Sequence, residues 1–562
     1  MRILVLQATR MGDVLQTSPL LRMLRRKHPD AHIAVLVRRM GVTIAERHPD
    51  VNEVILYDED EMFLHLRSQD SLRLMKAWQV ADAFIGELRA KQFDLAYNLT
   101  HSLSSTMLLK LAGIPEVVGA HLSDDWQYVL RGPWTTYFFT SVFHREYNDL
   151  NLCDITRKFA ADAPDCRELV LDIREEDHQF AADLLQRHGA TEESFVVCIQ
   201  LGASEENKRW TPEHFAALAK RLQEKYQAMI FLVGVKEEAP LGKAFDEHAP
   251  GLAVSLFGRT SIPQLAALLQ RAKLLVTNDT GTMHIAAAAG CPITLVSVGN
   301  VHYRETGPYG EGHVAVERRR AKLGTGHHVP TGLEERTLLQ PDQVLHAVEF
   351  TLKAARGEAL EPAAEKPDQA NVDFFQTAFA PDGFLEYYPL VKRPLTERDL
   401  LRMAYRAMWL HHLEKQHDAQ AERASLEKML RHYAAPPAET VAAWRKDLSQ
   451  HFGALAALAQ RGSRTTDNLL DVLQKKKNMA KAKDLVAQLM RLDEEARIFS
   501  ELHPPCKPLI LIAKYERDNL EGADPVHLAQ TTLTIYRNFF QRARLTQQKI
   551  ELITGRVDQG LG

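Results

Sequence analysis

Three polar loops in this 562-residue chain carry residue types that could hold and react with a phosphorylated substrate. The stretch Val276-Thr277-Asn278-Asp279-Thr280-Gly281-Thr282-Met283-His284 runs from an apolar strand through a short polar loop into an Ala-rich helix starting near Gly281. Backbone N–H groups at such a helix start, together with the positive end of its dipole, form an anion site at the carboxyl edge of a parallel sheet, and a diphosphate fits there. The competing reading is a plain N-cap, with Asp279 or Thr280 satisfying free N–H groups and His284 packed within the helix. A second loop, Gln200-Leu201-Gly202-Ala203-Ser204, follows another strand, and Lys208-Arg209-Trp210 leads into the next helix. Leaving the same sheet edge, this loop can bring Ser204 and Lys208 to the same anion, the lysine as mobile positive charge for a diphosphate leaving group. Taken singly, Lys208-Arg209 reads as a solvated pair. The third loop holds Gly12-Asp13, after the first strand of the chain. A carboxylate there can act as general base toward an acceptor hydroxyl if it faces the same cleft, or it can cap the helix that runs through Leu15 and Leu20.

Stepping outward, these loops need strands and helices to aim them. Arg2-Ile3-Leu4-Val5-Leu6-Gln7 is a short apolar run that stops at a polar loop, as a strand buried on both faces does. Leu20, Leu21 and Leu24 then recur at helical spacing, and Pro29 ends the run. Strand-like runs follow at His32 to Val37, Glu53 to Tyr57 and Asp94 to Leu99, with a helical stretch from Leu72 to Lys91. A second series comprises Phe195 to Gln200, Met229 to Val233, Leu252 to Leu256, Leu274 to Thr277 and Ile293 to Val298. Such alternation predicts two α/β halves in tandem, each a doubly wound parallel sheet. Asp162-Ala163-Pro164-Asp165 is the expected boundary between them. The expected domains are 1–165 on the acceptor side, 166–356 on the donor side, an exposed Glu/Ala/Pro linker over 357–395, and an α-helical domain over 396–562 rich in Leu, Ala, Lys, Glu, Arg and Gln.

Composition restricts the function classes. Hydrophobic residues make up 45% and charged residues 25%, the balance of a folded chain. A formal net charge of −4 supplies no global attraction for nucleic acid. Cys153, Cys166, Cys198, Cys291 and Cys506 lack the short paired spacings of a zinc site and read as buried thiols in a reducing compartment. No apolar run reaches the roughly 20 residues of a membrane span, and the start of the chain is too short for a signal-peptide core, so a cytoplasmic protein is expected.

The Gly12-Asp13 loop, Lys208-Arg209-Trp210 and Asn278-Asp279-Thr280-Gly281 with His284 together resemble the family-nine glycosyltransferases, the bacterial ADP-heptose:lipopolysaccharide heptosyltransferases. Leu256-Phe257-Gly258-Arg259-Thr260-Ser261 and Thr306-Gly307-Pro308-Tyr309-Gly310 extend the resemblance, which covers roughly Met1 to Phe350. It implies a GT-B fold, two Rossmann-like domains facing across a cleft. By the same resemblance, Asp13 is the base that activates the acceptor for direct, inverting displacement at the donor's anomeric carbon. Ser204, Lys208, Thr280 and Gly281 hold the donor phosphates, Asp279 the transferred sugar, Glu237 (or adjacent Glu238) the ribose, and Thr260 the nucleotide base. His284 contacts phosphate or supports the loop, and Gly12 and Arg10 lie on the acceptor side. The implied co-substrate is a nucleotide-diphosphate sugar, ADP-heptose, with no cofactor or catalytic metal; fixed N–H dipoles and a cation stabilise the departing diphosphate.

Asp58-Glu59-Asp60 has the Asp-x-Asp form of metal-dependent glycosyltransferases, but its acidic surroundings in the first half read as a solvated turn. His327-His328 lacks a third ligand of suitable spacing. Arg10, Arg22, Arg25, Arg26, Lys27, Arg38 and Arg39 could meet an anionic lipid-linked acceptor at the inner membrane, or form an ordinary solvated helix face. The expectation is heptosyl transfer to a lipopolysaccharide core. Transfer to a protein or other surface glycan, or a silent nucleotide-sugar-binding scaffold with a protein partner on the helical region, are the alternatives.

Overall fold

The computed structural model describes residues 1–59, 64, 66, 70–160, 165–319, 336–366, 369, 371–475 and 478–560. Asp60, the expected boundary residues Asp162 to Pro164, and the segment holding Arg320 and Gly324 to His328 lie outside them. The chain divides into two compact units, one made of Met1–Gln79 with Leu150–Arg393, the other of Val80–Asp149 with Pro394–Gly562.

In the first unit, strand Arg2–Leu6 pairs in parallel with His32–Val37, which pairs in parallel with Glu53–Leu56. Ile3, Leu4, Val5 and Leu6 are all buried, as the continuous apolar run requires. A second sheet of eight strands is also present in this unit. Its parallel part runs in the order Val314–Arg318, Ile293–Ser297, Leu274–Thr277, Val196–Gln200, Met229–Val233, Ala253–Ser255. Helices such as Pro212–Tyr226 and Pro341–Ala355 bury Phe215, Leu218, Leu222, Val344 and Val348 against it.

The expected linker is a place where structure departs from composition. Val372–Phe379 pairs antiparallel with Val314–Arg318, and Leu385–Pro389 pairs antiparallel with Val372–Phe379, extending one edge of the eight-stranded sheet. Val372, Phe374, Phe375, Leu385 and Tyr387 are buried, so this stretch belongs to the core. The Glu/Ala/Pro composition of 357–368 stops short of this apolar run, and reading it forward to 395 hid a hairpin.

The second unit holds strand Leu95–Asn98 parallel to Glu116–Leu122, which pairs antiparallel with Tyr128–Arg131. Beyond Pro394 it is mainly helical, as composition predicts, with Glu397–Leu413, Ala419–Arg431, Ala438–Gln474, Met479–Leu502, Lys507–Asp518 and Pro525–Asp558, and one short strand at Tyr433–Ala434. The two longest helices meet where Gly462 admits the ring of Tyr536; a methyl group at Gly462 would stand 2.2 Å from Tyr536 Cε1. The Tyr536 hydroxyl donates to Asp493 Oδ1 at 2.8 Å, fastening the helix Met479–Leu502 to this pair. No helix among the described residues is long and apolar enough to cross a membrane.

One buried network in the first unit ties its middle to the hairpin. Asp154 Oδ1 accepts from Arg157 Nε at 2.9 Å and from the Tyr309 hydroxyl at 2.7 Å, while Oδ2 accepts from the backbone N–H of Leu385 at 2.7 Å. Arg157 donates in turn to the Gly383 carbonyl at 2.9 Å, and both charged side chains are almost wholly buried. Removing one partner of such a pair strands the other charge in the interior. Asp154→Asn should therefore lower stability by about 3–5 kcal/mol, read as an earlier urea transition; a loss below about 1 kcal/mol would show that Arg157 is held by its other acceptors.

Candidate active site

The helices Met11–Gln16 and Gly281–Ala288 start at the carboxyl ends of strands from the two sheets of the first unit. Their first turns come close enough that side chains there would collide. A methyl group on Gly12 would stand 2.8 Å from His284 Cδ2, and one on Gly281 would stand 2.4 Å from Met11 Cε. Beside this approach lies a cavity of about 370 Å³, lined by Arg10, Gly12, Asp13, Ser204, Thr260, Asp279, Thr280, Gly281 and His284 among others. The sequence-predicted acceptor-side and donor-side loops thus face one space.

Asp13 both caps its helix and lines the cavity. Its Oδ2 accepts from the backbone N–H of Arg10 at 3.1 Å, closing the first turn of its helix, and the side chain also lines the cavity. The N-cap bond fixes the carboxylate without consuming its second oxygen, which suits a base that must present one lone pair in a fixed direction.

The donor side is built around Asn278, a fully buried residue to which the sequence reading assigned no separate role. Its Nδ2 donates to the carbonyls of Leu201 and Gly202 at 3.0 and 3.1 Å, and its Oδ1 accepts from the Trp210 backbone N–H at 3.0 Å. One carboxamide thus holds the loop after Val196–Gln200 against the loop after Leu274–Thr277. The signal was present as the polar residue directly after a buried strand, where an amide has little role except to bind backbone. Trp210 is anchored further by Nε1 donating to the Leu339 carbonyl at 2.8 Å, and Arg209 by two bonds to the Ala203 carbonyl at 3.2 and 3.0 Å.

Two predicted donor residues sit apart from the cavity wall. Glu237 is exposed and does not line it; Glu238 does. Glu238 receives Gln200 Nε2 at 3.1 and 3.2 Å and the Val235 N–H at 3.0 Å, and burial pushes its pKa up. The 3₁₀ turn Lys236–Glu238 carries the second glutamate inward, a one-residue phase that spacing alone leaves open. Lys208 also lies outside the lining, with Nζ 3.3 Å from Glu205 Oε1. Its charge nevertheless acts on Asp279.

Burial raises the Asp279 pKa, opposed by the positive charge of Lys208, a 3.4 Å hydrogen bond from the Thr306 hydroxyl and the charge of Arg10, while Asp13 adds to the rise. His284 is lowered to about 4 by burial, against the pull of Asp13, and is therefore a neutral imidazole at physiological pH. Its Nδ1 is buried without a hydrogen-bond partner among the described residues. A neutral ring packed under Gly12 shapes the loop and offers a phosphate no net charge.

The remaining motif residues are occupied elsewhere. Asp58 pairs with Arg39 at 2.5 Å and Glu59 pairs with Arg38, and neither acid lines the cavity. Arg22 bridges to Asp50 at 3.2 Å, Arg25 donates to the carbonyls of Pro29, Ala31 and Asp50, and Arg26 to that of Asp165. Of that basic group, Arg10 alone lines the cavity.

Residues 82–326 match the family described as Glycosyltransferase family 9 (heptosyltransferase). The chain is 27% identical over 351 residues to lipopolysaccharide heptosyltransferase 2 of Escherichia coli (strain K12), an overlap of 58% of this chain and 90% of that protein. It is 27% identical over 317 residues to lipooligosaccharide heptosyltransferase 2 of Haemophilus ducreyi, covering 53% and 83% respectively. Among solved structures, the family 9 glycosyl transferase from Veillonella parvula DSM 2008 aligns with a TM-score of 0.51 at 21% identity, over 62% of this chain and 97% of that one. Paired α/β sheets with a cavity at their carboxyl edges are the GT-B arrangement, and the relatives named above are glycosyltransferases. Over residues 82–326 the chain is similar to glycosyltransferase family 9, and a C-terminal helical region lies beyond that stretch.

The Asp279 environment makes a stability prediction. Because folding raises its pKa, the folded state favours the neutral acid, and stability falls as pH climbs from the ordinary aspartate value of about 4 through the raised folded value, then levels off. Asp279→Asn should thus raise the melting temperature of the ligand-free protein at pH 7, the gain shrinking as pH falls toward about 4. A lower melting temperature at pH 7 would mean that Lys208 and Arg10 outweigh burial.

Proposed function

We propose that this chain transfers heptose from ADP-heptose to a hydroxyl of a growing lipopolysaccharide core, with inversion and without a metal on the donor. The observation that carries the reading is that Asp13 and the helix start at Thr280-Gly281 line the same cavity. The named relatives, a lipopolysaccharide and a lipooligosaccharide heptosyltransferase, support the transfer of heptose to such an acceptor.

In this mechanism the donor diphosphate sits at the N–H groups beginning the helix Gly281–Ala288, with Ser204 and Thr280 in the wall and Arg10 and Lys208 supplying positive charge. Glu238 takes the ribose, in place of Glu237, and Thr260 lies by the base. Asp279 orients the sugar. The Asp13 carboxylate removes the acceptor hydroxyl proton as that oxygen attacks the anomeric carbon, and the bond to the diphosphate oxygen breaks on the opposite side. Negative charge accumulating on the leaving ADP meets dipoles already in place, so little reorganisation is required as the bond breaks. The protein acts from the cytoplasmic side, peripheral to the inner membrane where its acceptor is anchored.

Asp13→Asn keeps the cap geometry but removes the base. It should bind ADP-heptose with wild-type affinity and lose transfer by about 10²–10⁴-fold, measured by ADP release with EDTA present. Undiminished turnover would remove Asp13 from the chemistry, and activity restricted to a UDP-sugar with added metal would overturn both donor and mechanism.

A further inference from the structure

A cluster of potential metal ligands stands in the helical region, beyond the 82–326 stretch that matches the family. The helix Glu397–Leu413 ends with His411, the connecting turn carries His417, and the following helix Ala419–Arg431 presents Glu422 from its first turn. Ligand atoms of these three side chains all lie within 4.8 Å of one another. The two imidazole rings have centroids 4.1 Å apart, and His417 Nε2 stands 3.4 Å from Glu422 Oε2.

The polar bonding around the cluster is incomplete. His411 Nδ1 and Glu422 Oε2 are both buried atoms with no hydrogen-bond partner among the described residues. Glu422 Oε1 is taken by Lys549 Nζ, from the last long helix, so the carboxylate is held by one oxygen while the other turns toward the histidines. A lone pair on each ring and one on the carboxylate, converging within 4.8 Å, is a donor set for a cation.

We propose that His411, His417 and Glu422 bind one divalent transition-metal ion, zinc being the ion that two imidazole nitrogens and one carboxylate oxygen suit best. Zinc bonds of about 2.0–2.1 Å place tetrahedral ligand atoms roughly 3.3 Å apart, so the three side chains close inward by small rotations, leaving a fourth position for water. The ion would pin the turn between the two helices, a structural role separate from sugar transfer. The charge of Lys549 weakens the site relative to an all-neutral surround and orients the glutamate in compensation.

The test uses the untagged full-length chain, stripped with a chelator and titrated with zinc alone, with bound metal counted by elemental analysis. One zinc per chain is expected, with a higher melting temperature on loading. His417→Asn and Glu422→Gln, each checked for native circular dichroism, should weaken zinc binding by at least about tenfold while leaving ADP-heptose turnover intact. The half-exposed turn position of His417 makes its replacement compatible with folding. Absence of saturable binding by the wild type would overturn the proposal, as would full retention of zinc by both variants, which would place the metal elsewhere.

Discussion

The site depends on how closely two backbones can approach. Gly12 and Gly281 sit at the first turns of helices that rise from different sheets, and each lacks the one carbon that would strike the opposing loop. A larger residue at Gly12 would press on the His284 ring and one at Gly281 on the end of the Met11 side chain, so the close approach of the two first turns favours glycine at both positions. Transition-state stabilisation by fixed dipoles works only when the reacting atoms are held between donor and base. The absence of two methyl groups therefore sets how near the two cavity-lining turns can come, although neither glycine provides a functional group.

Holding that approach requires rigid loops, and the molecule obtains rigidity from buried polar groups with complete bonding. Asn278 joins two loops through three backbone bonds, and Asp154 joins a helix to a hairpin in the same way. Each spends a buried side chain on backbone groups that would otherwise be unsatisfied. Asp279 is different, because its burial works against its ionised form and is offset only in part by Lys208, Thr306 and Arg10. A carboxylate kept under such tension in the ligand-free protein is typical of a group whose full set of partners includes substrate.

Much of this was legible in the residues. Continuous apolar runs ending in polar loops located the parallel strands at Arg2–Leu6, Val196–Gln200 and Leu274–Thr277, because strands buried on both faces cannot alternate. The loops carrying Asp13, Ser204 and Thr280 followed from those strand ends. What spacing could not settle was the phase of a single turn, which decides whether Glu237 or Glu238 points inward. Nor could it show that Lys208 reaches Asp279 by its field while staying off the cavity wall. The hairpin Val372–Pro389 was obscured by the polar composition just before it, since linker signals are averages over windows and a strand pair needs only a dozen residues.

That hairpin also determines where the polypeptide can be divided. It covers the flank of Val314–Arg318, whose N–H and C=O groups would otherwise face outward as a ready template for any passing β-strand. A fragment ending at the close of the helix Pro341–Ala355 would carry every residue lining the cavity and yet expose that adhesive flank. A cut before the hairpin would therefore leave the first unit incomplete, even though no residue of the hairpin lines the cavity.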